Sequence, residues 1–358
     1  MQSTLVSGKG LYHNLYGMGC VLLGLIDLIE PHAVEITILN FHRLLKKYKL
    51  VAGGAGLQRL SLLPWFSLRQ GDSHKELNKM SYNDNCSKPK KVPVTVIIPC
   101  YRCCETISRA VDSVLKQSKI PKEIILVDDF SEDGTLEKLS FIQKENPDII
   151  KILALNENRG PGVARNLAWD QATQPYIAFL DSDDSWYSEK INIQYSWMIS
   201  NQNIQLTGHL LSEDSERLPE PLKNNITTKK INPKDLLFVN RFVTSTVMLK
   251  KELPYRMGEK KYSEDYLLWL KIALSNKECQ IIEVPLACRY KYAYGDIGLS
   301  ADMWKFEKGE LDTYFEVRKL RLISAITFSI TITFSLIKFL RRLLIIKIRG
   351  GVKRITSH

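Results

Sequence analysis

Residues 176–187 read Tyr-Ile-Ala-Phe-Leu-Asp-Ser-Asp-Asp-Ser-Trp-Tyr. The stretch opens as a short apolar, aromatic-rich run, the pattern of a buried strand, and breaks after Leu180 into Asp181-Ser182-Asp183-Asp184. Crowded carboxylates repel one another, and such a cluster persists where a cation or a proton relieves the repulsion. In extended backbone, Asp181 and Asp183 project to the same side and aim their oxygens at one point. A hard divalent cation, Mn²⁺ or Mg²⁺, suits two carboxylates completed by phosphate oxygens of a substrate. An isolated Asp-x-Asp is more often a solvated acidic turn, so its surroundings decide.

Upstream, strands and helices alternate. A strand at 94–98 is stopped by Pro99, and apolar positions Ile107, Ala110, Val111, Val114 and Leu115 mark an amphipathic helix over 104–116. A second strand, 123–127, ends in Asp128-Asp129, and a turn and a helix over 136–143 follow. A third strand, 150–155, precedes a helix over 162–172, and the fourth strand is 176–180. This alternation predicts an α/β, Rossmann-like fold with a mainly parallel sheet flanked by helices. Ligands of such sheets bind outside the carboxyl ends of the strands. Tyr101, Asp129, residues 158–162 and residues 181–184 all fall there.

Downstream, the pattern predicts a helix at 189–199, a strand at 204–211 and a polar, mobile loop over the site at 212–230. A short helix at 235–239 and a strand at 244–249 follow. Ser263-Glu264-Asp265 then precedes a helix with apolar periodicity. Ser263 or Glu264 can cap it, because carboxylates at a helix N-terminus satisfy free N–H groups.

The chain has 358 residues, room for one large α/β domain with appendages or for two modest domains. Its formal net charge is +11, and no acidic residue follows Glu316 while ten lysines and arginines do. The basic excess therefore describes a tail, not a nucleic-acid-binding core. Seven cysteines form no even framework, which points to a reduced, cytosolic setting. Cys100-x-x-Cys103-Cys104 lacks the second ligand pair that zinc needs, so these are read as buried thiols.

Residues 1–91 are expected to be an extension and linker. An apolar run at 20–28 is interrupted by Asp27 and followed by no small-residue cleavage site, which argues against a signal peptide. Residues 53–56 lack the setting of a phosphate loop, and 70–91 is polar and lysine-rich. Met80 lies shortly before the first strand, so translation from Met80 is an expectation that intact mass of the native protein tests.

Five segments in order resemble the inverting family-two glycosyltransferases: 96–101 (Val-Ile-Ile-Pro-Cys-Tyr), 127–135 (Val-Asp-Asp-Phe-Ser-Glu-Asp-Gly-Thr), 158–166 (Asn-Arg-Gly-Pro-Gly-Val-Ala-Arg-Asn), 180–184 (Leu-Asp-Ser-Asp-Asp) and 263–269 (Ser-Glu-Asp-Tyr-x-x-Trp). The resemblance spans about 92–294 and implies a GT-A fold over 92–300 with a nucleotide-diphospho-sugar donor. It places Pro99 and Tyr101 at the nucleotide, with Tyr101 stacking on the base. It gives Asp129 the base N–H, typically of uracil, Asp183 with Asp181 the metal on the diphosphate, and Asp265 the role of catalytic base. Arg165 occupies a position where the family often has a nucleotide-contacting cation; a salt bridge to a site carboxylate is the alternative. Two positions depart from the family pattern: Arg102 stands where Asn is common and Phe130 where Gly is usual. No Gln-x-x-Arg-Trp is present, which implies addition of one sugar rather than polymerisation.

The tail, 301–358, contains sixteen uncharged residues at 322–337. As a helix these span about 24 Å, short of the roughly 30 Å hydrocarbon core. Basic flanks on both sides favour a helix or re-entrant pair in the inner leaflet, held by anionic lipid, with a single span as the alternative. The expected location is the cytoplasmic face of the inner membrane, and the expected acceptor is a lipid-linked saccharide, as in O-antigen or capsule assembly. A GT-A domain that binds saccharide without catalysis and a nucleotidyltransferase are the competing functions. Retention of Asp129, Asp183 and Asp265 argues against the first, and the absence of glycine from 100–105 against the second.

Overall fold

The computed structural model describes residues 90–212, 226–260, 262–290 and 302–355, with side chains as far as 345. The expectations for 1–89, including the apolar run, the glycines at 53–56 and a start at Met80, lie outside these residues, as does most of the loop expected at 212–230. All described residues fall in one unit, Asn83–His358.

Strands β1 (Lys91–Cys100), β2 (Ile120–Asp128), β3 (Ile150–Ala154) and β4 (Tyr176–Phe179) alternate with helices α1 (Ile107–Leu115), α2 (Thr135–Glu145) and α3 (Pro161–Gln171). They lie in the order β3-β2-β1-β4, all parallel. The chain runs outward from β1 to β3 and then returns to the other side of β1, so the crevice of this sheet opens at the carboxyl ends of β1 and β4.

β1 and β2 read as continuous apolar runs because both faces are covered. Ile97, Ile125 and Val127 face a core shared with Trp169 and Trp269, while Val96, Ile98, Ile124 and Leu126 face a second core with Ile107, Val111 and Leu139. The period of two along each strand thus sorts adjacent residues into opposite layers.

Beyond β4 the strand–helix alternation lapses, and so does the parallel order it signals. After β5 (Ser185–Trp186), α4 (Lys190–Ser200), β6 (Ile204–Ser212) and β7 (Thr228–Lys230), a one-turn helix α5 (Pro233–Leu236) leads to β8 (Met248–Lys250). β8 lies antiparallel to β4 and to β6. Helix α6 (Glu264–Leu274) is followed by β9 (Glu278–Cys288), which runs parallel to β6 and antiparallel to β5 and β7. Among the described residues the nine-stranded sheet is therefore mixed, its parallel half being the Rossmann-like arrangement expected. The strand expected at 244–249 is a 3₁₀ turn, Thr244–Thr246, running into β8.

Helices α7 (Met303–Lys319) and α8 (Ala325–Ile355) complete the chain. The boundary expected at 300 is not a packing boundary: Tyr314 and Val317 of α7 are fully buried in the core that holds Tyr266 and Trp269.

The two positions that depart from the family pattern share one backbone feature. Arg102 has φ 48° and Phe130 has φ 60°, in the left-handed region that Gly and Asn tolerate and bulky residues resist. Phe130 is also exposed, so its ring contributes little burial in return. Phe130→Gly is therefore expected to stabilise the protein by about 1 kcal/mol, seen as a higher urea midpoint at unchanged m.

Candidate active site

The acidic segment is a turn. The Asp184 N–H donates to the Asp181 carbonyl at 3.1 Å, closing an i to i+3 turn directly after β4. This corrects the expectation of extended backbone: the segment is a tight turn, and its carboxylates do not alternate by pleat. Asp181 Oδ1 accepts from Arg165 Nη2 at 2.6 Å, Asp184 is buried and its Oδ2 accepts from the Ser245 hydroxyl at 2.6 Å, and Asp183 stays half-buried. The same Ser245 oxygen receives the Asp181 N–H at 3.1 Å, so one hydroxyl fixes both ends of the turn. On the other side, Arg109 Nη2 donates to the Asp183 carbonyl at 2.7 Å while its guanidinium lies 3.8 Å from the centre of the Tyr290 ring.

Arg165 joins this turn to the helix that carries Asp265. It is buried on α3, and its second nitrogen, Nη1, donates to Glu264 Oε1 at 3.1 Å. Both guanidinium ends are thus engaged by protein carboxylates, which favours the salt-bridge alternative for this residue. The close approach of α3 to α6 depends on Gly162: a Cβ there would lie 2.7 Å from the Gly258 carbonyl and 2.8 Å from Glu264 Cγ.

Asp265 is the second residue of α6. Its Oδ2 accepts from the Thr244 hydroxyl at 2.8 Å and its Oδ1 from the Tyr266 N–H at 2.7 Å. The expectation that Ser263 or Glu264 caps α6 is not met. Ser263 makes no side-chain cap bond, and Glu264 faces Arg165 instead.

The nucleotide side lies at the ends of β1 and β2. Pro99 is buried in β1, in register with Val127, while Tyr101 beyond it is exposed, with the Arg102 guanidinium 5.3 Å from its ring centre. Asp129 is buried and its two oxygens accept the N–H groups of Arg159 and Gly160, each at 2.8 Å. It ties the loop ahead of α3 to β2, with Gly160 at φ 87°. Its neighbour Asp128 accepts the Ser131 N–H through Oδ2, but buried Oδ1 has no hydrogen-bond partner among the described residues. Arg109, Thr244 and Ser245 are site residues outside the five motif segments, and Asp128 and Glu264 lie inside two of them with no catalytic or binding role assigned from the sequence.

Burial and crowding shape the charges. Burial, then the charges of Asp181 and Asp183, push Asp184 up to about 7 against the Ser245 hydrogen bond. Burial and neighbouring Asp265 push Glu264 up to about 7 despite Arg165. Asp265 is also raised, chiefly by burial, with the Thr244 hydroxyl and Arg165 holding it down. The folded protein therefore keeps a proton on Glu264 to about pH 7, whereas an unfolded chain releases it near its ordinary value, about 4.3. Stability from this group is full below the lower value and is lost as pH rises through about 7. Urea unfolding of the metal-free protein should show stability falling between about pH 4 and 7, with a flatter slope in Glu264→Gln.

Among the described residues, no group of three or more His, Cys, Asp or Glu is arranged to hold a metal. The donor set still fits a cation that shares its shell with a diphosphate. Asp183 is half-buried and Asp181 has only Oδ1 bound to Arg165, which matches the one or two carboxylates Mg²⁺ typically takes beside substrate phosphates.

Known proteins share this fold. The TarS 1-349 crystal structure from S. aureus superposes with a TM-score of 0.50 at 19% identity, covering 68% of this chain and 70% of that one. The mannosyltransferase PcManGT from Pyrobaculum calidifontis, solved with GDP-Man and Mn²⁺, also gives 0.50 at 19% identity, covering 63% and 64%. At such identity they establish the fold alone, a GT-A-like one. In sequence, the Escherichia coli UDP-Glc:alpha-D-GlcNAc-diphosphoundecaprenol beta-1,3-glucosyltransferase WfgD is 31% identical over 228 residues, 61% of this chain and 84% of WfgD. The putative teichuronic acid biosynthesis glycosyltransferase TuaG of Bacillus subtilis (strain 168) is 31% identical over 237 residues, 65% of this chain and 91% of TuaG. The profile for Glycosyl transferase family 2 matches residues 95–264, from β1 to the residue before Asp265. Since nearly all of TuaG aligns and the profile runs through both Asp129 and the acidic turn, this chain belongs to glycosyl transferase family 2 and is a glycosyltransferase.

Proposed function

We propose that the enzyme moves one sugar, with inversion, from a UDP-sugar to a hydroxyl of a lipid-linked saccharide. The observation that carries this reading is the Arg165 bridge, which ties the acidic turn after β4 to the start of the Asp265 helix. A donor diphosphate at the turn and a base on α6 then share one rim. Asp265 takes the proton of the acceptor hydroxyl as that oxygen attacks the anomeric carbon from the face opposite the leaving group. Asp183, assisted by the free oxygen of Asp181, holds Mn²⁺ or Mg²⁺. When bound, the cation offsets charge on the departing nucleoside diphosphate. Tyr101 stacks on the base, and Asp129, with Asp128 Oδ1 beside it, takes the base N–H groups. Pro99 shapes the strand end beneath them.

The donor nucleotide and the lipid carrier are supported by the activity for which WfgD is named. Donor hydrolysis measured across a panel of nucleotide sugars, with Mn²⁺ or with EDTA, tests the assignment. One UDP-sugar is expected to be hydrolysed only with Mn²⁺, and Asp183→Asn should lose that dependence together with turnover. Undiminished turnover in EDTA would refute the metal assignment, and an α-linked product from an α-linked donor would refute inversion.

A further inference from the structure

Helix α8 packs Phe328, Ile332 and Phe339 inward, but its inward side also buries polar and charged groups while large apolar side chains face out. Thr331 and Ser335 are fully buried, and Ser335 donates to Glu307 at 2.8 Å. Lys338 donates to Glu310 at 2.6 Å and Arg342 to Glu307 at 2.5 Å, both carboxylates belonging to α7 and both buried. The outward side carries Ile326, Ile330, Ile337, Leu340 and Leu344, between 47% and 75% exposed. Their spacing of three, four or seven places them on one stripe of the helix. Water gives no reason to bury the charges of a helix and expose its leucines. A hydrocarbon surface does.

We infer that this stripe lies in the plane of an anionic lipid bilayer, immersed in one leaflet without crossing it. No helix among the described residues is long and apolar enough to cross a membrane. Charge complementarity selects lipid over a second copy of the chain. α8 contains no acidic residue, Lys338 and Arg342 pair with α7, and the sequence of its C-terminal half also carries Arg341, Lys347, Arg349, Lys353 and Arg354. Two copies packed stripe to stripe would set this basic half against a helix with no carboxylate, whichever way they ran. Anionic headgroups supply the missing charge along the same surface. Trp304, exposed and 5.5 Å from the Phe339 ring, adds an aromatic of the kind found at the headgroup level.

The contact would also orient the enzyme. α8 is tied to α7 by the buried ion pairs, and Tyr314 of α7 donates to the Leu237 carbonyl at 2.9 Å and packs edge-on against Tyr266, the neighbour of Asp265. A bilayer held by α8 thus stands at a fixed attitude to the start of α6. This inference is independent of the catalytic assignments and is read without any turnover.

Co-flotation of the full chain with vesicles tests it. Binding is expected with equal parts phosphatidylcholine and phosphatidylglycerol, and at least about tenfold less with phosphatidylcholine alone or for Ile337→Glu/Leu340→Glu. Both substituted side chains are exposed, so the variant's thermal midpoint should match the parent's. Hydrogen exchange of the unmodified chain, with and without vesicles, is the second measurement and should show added protection over 326–345. No flotation, flotation undiminished in the variant, or protection elsewhere overturns the inference. A concentration-dependent dimer that the variant abolishes would assign the stripe to a second copy and overturn it as well.

Discussion

Asp265→Asn is expected to fold, to bind donor with unchanged affinity, and to turn over about 10²–10⁴-fold more slowly. The amide can keep both local contacts, since its oxygen still accepts the Tyr266 N–H and its NH₂ can donate to the Thr244 oxygen. What it cannot do is take a proton. The environment favours this role: burial raises the carboxyl above its ordinary value, while the Thr244 hydrogen bond and the Arg165 charge oppose the rise. A base with a raised pKa also predicts a rate that declines on the acid side above the usual carboxylate range. Initial rates with saturating donor, together with calorimetric binding of UDP, separate the two effects. Near-wild-type turnover in the variant would remove Asp265 from the mechanism.

Arg165→Met should be the most destabilising single change at the site, about 3–5 kcal/mol, because among the described residues of the site it removes the one counter-charge hydrogen-bonded to two carboxylates at once. The loss is not the worth of a surface ion pair, since Arg165 and Glu264 are both buried. The pH dependence has a definite sign. Without the guanidinium, Glu264 rises further from its already elevated value, so the variant is closest to wild type in acid and falls away as pH rises. Arg165→Lys should recover only part, because one ammonium cannot span both carboxylates as the planar fork does. Arg165→Met/Glu264→Gln should recover more than the single variant. Urea titrations at two pH values measure all of this, and a loss below about 1 kcal/mol would mean the bridge is solvated.

The two variants probe different consequences of one geometry. Asp265 acts on substrate, whereas Arg165 keeps the acidic turn and the Asp265 helix together. Their effects should therefore appear in different measurements, turnover for the first and unfolding for the second.

The sequence by itself determined the parallel half of the sheet and the rim where its strands end. Apolar runs, helical periodicity and short links are local properties, and β1 to β4 with α1 to α3 follow from them nearly residue for residue. The glycosyltransferase family was legible for the same reason, since most of its motifs are contiguous segments at the ends of strands. Strand β9 was not legible. Pro285 breaks its run, and only the register shifts around Leu210 in β6 let a proline sit inside the sheet. The tertiary structure alone decided that residues 181–184 form a turn fixed by Ser245, that Arg165 bridges two carboxylates rather than standing free, and that α7 belongs to the core. It also decided which side of α8 faces outward. Each of these depends on partners far away in the chain, and a side chain's neighbours across space leave no periodicity in the sequence to be read.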